Sequence, residues 1–200
     1  MTESTSPAQD NVPRARLLEG MARAVAAKGY ADTTIADIVR EASVSRRTFY
    51  ENFADKAECL IALYEAASGN AIAVLRAAID PHSDWQAQVE QALAAYFGVL
   101  ARNPVLLRTL FIEILGLGAD GLAARRRANQ ELADLMLDVV NNRSGGRQRK
   151  APLQPMMALA VVGGINEMVL QAIEQERAGD LRALVEPAAA LLRAATLAEP

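Results

Sequence analysis

The chain has 200 residues, 52% of them hydrophobic and 22% charged, with a formal net charge of −3. That is enough apolar chain for one sizeable core, or for a small module joined to a larger one, and too much for a disordered chain. The acidic balance excludes a binder that relies on general attraction to nucleic acid, and the first sixty residues carry eight Lys and Arg against nine Asp and Glu.

Aromatics are 4% of the chain, and Ala and Leu fill most apolar positions. Both features favour helix, and β-branched runs of strand length are scarce. The expected class is all-α, with about nine helices. A single cysteine, Cys59, permits no internal disulfide and fits a reducing compartment. Residues 1–12 are polar and contain proline, which predicts a flexible tail and no signal peptide. The longest apolar run, 155–165, stops at Asn166, short of a membrane span. A soluble, cytoplasmic protein with no membrane partner is expected.

In chain order, Pro13 suits a first helical turn, and Leu17, Met21, Ala24 and Val25 recur at helical spacing up to Lys28. Gly29 is the expected stop. Thr33 is the expected cap of a short second helix carrying Ile35, Ile38, Val39 and Ala42. Ser43 and Val44 form a tight connection, and Ser45 caps a third helix with Phe49 and Phe53 one turn apart. Asp55 caps a fourth helix running toward Ile79. Residues 81–84 break the chain before a fifth helix marked by Trp85, Val89, Leu93, Tyr96 and Leu100. Asn103 and Pro104 open a sixth, through Leu115. Gly116, Gly118 and Gly121 interrupt before a seventh helix over 122–140. A basic loop over 141–152, with Arg143, Arg147, Arg149 and Lys150, precedes an eighth helix over 153–177. Asp180 caps a ninth, which Pro187 is expected to kink.

Two short helices joined by a tight turn form a helix-turn-helix. In the third helix Phe49 and Phe53 face inward, so Arg47, Thr48 and Glu51 face outward, flanked by Arg46 and Tyr50. Arginine reads guanine O6 and N7 with paired hydrogen bonds, and threonine meets a base edge or a thymine methyl. Small hydroxyls, tyrosine and helix N-termini hold phosphates. The candidate contacts to double-stranded DNA are Thr33, Thr34, Ser45, Arg46, Arg47, Thr48, Tyr50 and Lys56.

The stretch 29–60 resembles the DNA-binding domain of the tetracycline-repressor (TetR) family. The matching features are Gly29-Tyr30, Thr33-Thr34, Val44-Ser45, Thr48-Phe49-Tyr50, Phe53 and Lys56, in order. The resemblance implies a regulator, usually a repressor, that binds palindromic DNA as a homodimer and releases it when a small molecule enters the C-terminal helices. Two positions depart from the family's pattern. Ser43 stands where glycine is common in the turn, implying a left-handed residue at about 1 kcal/mol or a shifted turn. Arg47 also stands where glycine is common, adding a candidate base reader.

The implied division is a tail over 1–12, a DNA-binding domain over 13–54 and a ligand-binding and dimerisation domain over 55–200. The effector is expected to be an unknown, largely apolar molecule, cationic or hydrogen-bonding at one end. Its expected lining is Tyr96, Phe97, Leu100, Phe111, Leu115, Leu132, Met136 and Met168, with Glu113, Asn166 and Gln171 as polar groups. Helices eight and nine carry more apolar surface than one subunit needs. Val161, Val162, Ile165, Val169, Leu181, Leu184, Val185, Ala188 and Leu192 are therefore expected at a four-helix dimer interface. His82 and Cys59, one of each, supply neither a nucleophilic pair nor a histidine-rich metal site, so no enzyme, catalytic residue, metal or cofactor is expected. Arg125-Arg126-Arg127 reads as a solvated helix face. The alternatives are an all-α, dimeric small-molecule-binding protein without operator recognition, and an activator.

Overall fold

The computed structural model of the chain describes residues 11–141 and 152–197. The helices are α1 (Asn11–Asp32), α2 (Ile35–Ala42), α3 (Arg46–Asn52), α4 (Lys56–Ala77), α5 (Trp85–Leu100), α6 (Pro104–Gly116), α7 (Gly118–Asn141), α8 (Pro155–Glu174) and α9 (Val185–Leu197). No strand occurs among the described residues, so the fold is all-α. Of the expected tail over 1–12, residues 1–10 lie outside the described residues, as does the basic loop at Arg143, Arg147, Arg149 and Lys150, while residues 11 and 12 belong to α1.

The chain divides into two compact units. One runs up to Ala67 and adds Arg108–Ala124; the other comprises Ser68–Leu107 and the chain from Arg125 onward. The divisions fall inside α4, α6 and α7, not in loops.

In the first unit, Leu17, Met21, Val25, Ile38, Phe49, Phe53 and Leu60 are buried in one small core. Gly20 sets how closely α1 meets α2. A Cβ there would lie 2.6 Å from the Ile38 carbonyl oxygen and 2.8 Å from Ala42 Cβ. Backbone lies in the way, so no side-chain adjustment relieves the clash. Gly29, at φ 80°, ψ 166°, breaks the helical path of α1, so the regular helix ends where the sequence predicts. α6 ends at Gly116, where an interruption is expected. Gly118, at φ 67°, makes the break between α6 and α7. Gly121 lies inside α7, where a Cβ would collide with the Ile114 carbonyl oxygen.

In the second unit, Ala133, Val140, Leu153, Ala158 and Val162 form a buried cluster with Trp85 and Met136 packed against it. Asn141 fastens the chain ahead of α8. Its Oδ1 accepts from the Leu153 N–H at 2.8 Å, and its Nδ2 donates to the Leu153 carbonyl at 3.3 Å. Gly164 admits Leu191 of α9, whose Cδ2 would lie 2.9 Å from a Cβ at that position. A 3-10 turn at Arg182–Leu184 leads into α9. Pro187 falls in the first turn of α9, where a missing N–H leaves no helical bond unmade, so the expected mid-helix kink does not arise.

The apolar run stops at Asn166, but the helix continues, with α8 reaching Glu174 inside the expected span 153–177. By length and composition α4 and α8 are both long and apolar enough to cross a membrane, and 39% and 44% of those apolar stretches are buried inside the protein. The expected dimer residues are also spent at home. Val161, Val162, Ile165, Val169, Leu181, Leu184, Ala188 and Leu192 are all buried within the single chain, and Val185 is half-buried. The sequence overstated the surplus because it could not show that α8 and α9 bury these faces within one subunit.

Gly20→Ala is expected to destabilise the first unit by about 1–3 kcal/mol through overpacking against backbone. Thermal unfolding would read this as a lowered Tm. Gly69→Ala in α4, where a Cβ meets open space, should leave Tm unchanged or raised.

Candidate nucleic-acid interface and effector cavity

The turn between α2 and α3 closes as a Schellman motif. Ser43 is left-handed at φ 52°, ψ 48° and its N–H donates to the Arg40 carbonyl at 3.1 Å. The Val44 N–H donates to the Val39 carbonyl, also at 3.1 Å. A non-glycine residue here carries a conformational cost of about 1 kcal/mol. Arg16 of α1 donates to the Ser43 carbonyl at 2.9 Å and Arg23 to the Glu41 carbonyl. Two arginines of α1 therefore hold the C-terminal carbonyls of α2, a role the sequence reading missed.

The start of α2 is a capping box, with Thr34 and not Thr33 as the cap. The Asp37 N–H donates to Thr34 Oγ1 at 3.2 Å, while the Thr34 N–H and hydroxyl donate to Asp37 Oδ2 at 2.9 and 2.6 Å. Lys28 donates to the same carboxylate, and Arg40 pairs with its other oxygen at 3.0 Å. The Lys28 hydrogen bond, followed by those from Thr34, drives the Asp37 carboxyl well below the ordinary 3.8. Thr33 is buried at 1% exposure, and its hydroxyl donates to the Gly29 carbonyl at 2.7 Å. It is therefore no phosphate ligand; it joins the end of α1 to the start of α2.

Ser45 caps α3, its Oγ accepting from the Thr48 N–H at 3.0 Å. Phe49 is fully buried, in edge contact with Tyr50 at 5.6 Å between ring centres, while Tyr50 is 52% exposed. Arg46 and Arg47 are exposed, and Thr48 is half-buried. Arg47 pairs with Glu51 at 2.8 Å across one exposed helical turn. Such a pair is worth about 0.3–0.5 kcal/mol, less than the roughly 1–3 kcal/mol of a bidentate base contact, so it is easily exchanged.

Lys56 is corrected as well. Its ammonium donates to the Tyr30 carbonyl at 2.9 Å and the Ala31 carbonyl at 3.4 Å, and lies 4.2 Å from the centre of the Tyr30 ring. Two positions of the matching pattern, Tyr30 and Lys56, thus bind each other and tie α4 to the end of α1. Cys59 has no exposure, and burial pushes its thiol up to about 12, leaving it a neutral core residue.

A family model for the bacterial regulatory proteins of the tetR family matches residues 17–63. Over these residues the chain carries a DNA-binding domain like that of the tetR family. An uncharacterised HTH-type transcriptional regulator, YxbF of Bacillus subtilis (strain 168), is 32% identical over 77 residues, covering 38% of this chain. The match spans 20% of that protein's length. The fatty acid degradation regulator FadR of Bacillus halodurans shares the fold at TM-score 0.73 and 19% identity, over 95% of this chain and 96% of that one. FadR of Bacillus subtilis, solved in complex with stearoyl-CoA, does so at TM-score 0.70 and 20% identity, over 89% and 96%. At these identities the TetR-like all-α architecture is what is shared.

The second unit holds a cavity of about 90 Å3. Of the expected lining, Tyr96, Leu132, Met136 and Asn166 are there. Phe97 is buried at 1% exposure elsewhere in the core, and Leu100, Met168 and Gln171 do not line the cavity. Phe111, Glu113 and Leu115 belong to the first unit, where the Glu113 charge helps raise the Tyr30 hydroxyl, after the larger effects of burial and Asp55. The lining instead draws on Trp85, Gln88, Val89 and Leu93 of α5, with Val139 and Leu192. Spacing on α5 marks Trp85, Val89 and Leu93 as one stripe, a signal already in the sequence.

Because the folded-state Asp37 carboxyl sits below its unfolded value, its contribution to stability is complete above the ordinary 3.8 and is lost as pH falls toward its depressed value. Denaturant unfolding between pH 7 and pH 2 should show stability falling from about pH 4 downward. Asp37→Asn should be less stable at neutral pH and lack that part of the acid dependence. An unchanged acid profile in Asp37→Asn would remove Asp37 from this role.

Proposed function

We propose that the protein is a cytoplasmic, homodimeric regulator that represses from a near-palindromic operator and releases it when a small molecule enters the second unit. The observation that supports DNA recognition is the asymmetry of α3: Phe49 is fully buried, while Arg46, Arg47 and Tyr50 on the other side are exposed. A helix anchored by an aromatic and presenting paired arginines matches what major-groove reading requires. DNA recognition is assigned to 13–54 and effector binding and dimerisation to 55–200. Base contacts are assigned to Arg46, Arg47 and Thr48, and phosphate contacts to Thr34, Ser45 and Tyr50.

The homodimer is assigned to the sides of α8 and α9 that the subunit core leaves exposed. Met156, Ala160, Gly163 and Glu167 recur along one side of α8, and Pro187, Ala190 and Ala194 along one side of α9. These are mostly small residues, suited to close helix packing, and Met156 is 74% exposed. Two-fold pairing would present recognition helices to half-sites about 34–36 Å apart.

Gel-shift titration against the DNA flanking the gene tests the first assignment. Arg46→Ala with Arg47→Ala should weaken operator binding by at least about 1–3 kcal/mol, and Tyr50→Phe should weaken all sequences alike. Unchanged affinity in the double variant would refute the recognition-helix assignment. In sedimentation, Gly163→Arg should yield folded monomers with weakened operator binding; a persistent dimer would move the interface elsewhere. Leu132→Trp, which fills the cavity, should lower operator affinity or abolish the inducer response.

A further inference from the structure

We infer that the cavity of the second unit selects a small uncharged amphiphile: a compact apolar body with one hydroxyl-type hydrogen-bonding end. This rests on reading the cavity as the effector site and specifies the chemistry of what enters it. The cavity is lined from α5, α7, α8 and α9 and from Leu75 and Ile79, and among its described lining residues none is Lys, Arg, His, Asp or Glu. The nearby charges are engaged elsewhere. Arg193 of α9 pairs with Glu90 of α5 at 3.5 Å and with Glu186 at 2.8 Å, and none of the three lines the cavity. A charged group carried into this lining would lose its hydration and meet no counter-charge, a far larger penalty than burying one hydrogen-bonded hydroxyl.

The polar lining is neutral and already oriented. Asn166 is buried, and its Nδ2 donates to Asn129 Oδ1 at 2.9 Å. Gln88 donates through Nε2 to the Ser83 carbonyl at 2.7 Å. Those bonds use the amide N–H groups, so the carbonyl oxygens Asn166 Oδ1 and Gln88 Oε1 retain lone pairs able to accept. A hydroxyl on the ligand supplies a matching donor without bringing charge. An apolar cavity of about 150 Å3 holds a benzene ring, so about 90 Å3 holds a shorter body before Met136 and the leucines must move. Affinity should therefore rise with each added methylene and then level off as the cavity fills.

Trp85 is the sole tryptophan and lines the cavity, so its fluorescence reads occupancy directly. The protein is titrated at pH 7 with 1-hexanol, hexanoate and hexylammonium, and with the shorter alcohols down to 1-propanol. Saturable change with 1-hexanol is expected, with both ions at least about 100-fold weaker, the penalty of an unpaired buried charge. Asn166→Leu should weaken 1-hexanol about tenfold or more, the loss of one hydrogen-bond partner, while the gain per added methylene along the alcohol series is kept. Either ion binding within tenfold of 1-hexanol overturns the inference and leaves the effector-site reading standing. Saturable 1-hexanol binding with no effect on operator affinity in gel shift does the reverse. No saturable change with any of these probes overturns the inference outright.

Discussion

The first unit depends on the closeness of α1 and α2, and that closeness rests on Gly20. With no Cβ, the backbone of α1 can lie against the Ile38 carbonyl and Ala42. Once the helices are that near, polar groups of α1 reach both ends of α2. Lys28 meets Asp37 at its start, and Arg16 and Arg23 meet the carbonyls at its end. Each unsatisfied helix terminus would otherwise leave backbone groups without partners. The orientation of α2, and of the turn into α3, follows from this contact. Moving α1 outward by one methyl radius would loosen both ends of α2 at once.

Several features of this unit were legible in the sequence for physical reasons. Phe49 and Phe53 at one-turn spacing define the inner side of α3, Ser45 is a good cap, and Gly29 can take a positive φ at the end of regular helix. What the sequence concealed was which polar residues were committed internally. Thr33 and Lys56 are chemically able to hold phosphate, and residue type alone points outward. Only the fold shows that Thr33 bonds Gly29 and Lys56 grips the Tyr30 and Ala31 carbonyls. Gly20 gave no signal either, because a glycine inside a helical pattern is read as tolerated, not as required.

The second unit was less legible because its helices are apolar around much of their circumference. On α5 the stripe of Trp85, Val89 and Leu93 lines the cavity, and Tyr96 continues it, but Phe97 and Leu100 are equally apolar and do not. On α8 a continuous apolar surface hid the distinction between core positions such as Val161, Ile165 and Val169 and the exposed side at Met156 and Gly163. Periodicity ranks faces by polarity, so it fails where two faces are both apolar. Asn166 was the exception. A lone carboxamide on an apolar helix needs a partner when buried, and Asn129 supplies it.

Under the proposed switch, a ligand acts only to the extent that it binds the DNA-free geometry better than the DNA-bound one. Each tenfold loss of operator affinity requires about 1.4 kcal/mol of that preference. The route available to it is constrained by connectivity. The chain leaves and re-enters the first unit inside α4, α6 and α7. Leu75 lines the cavity, and Lys56, nineteen positions earlier on the same helix, holds the carbonyls of Tyr30 and Ala31. The Lys56 contacts therefore serve a second purpose in this scheme. By tying the start of α4 to the end of α1, they make the helix-turn-helix follow α4 instead of slipping past it. A chain that used Lys56 for phosphate alone would bind DNA somewhat better and transmit the ligand's effect worse.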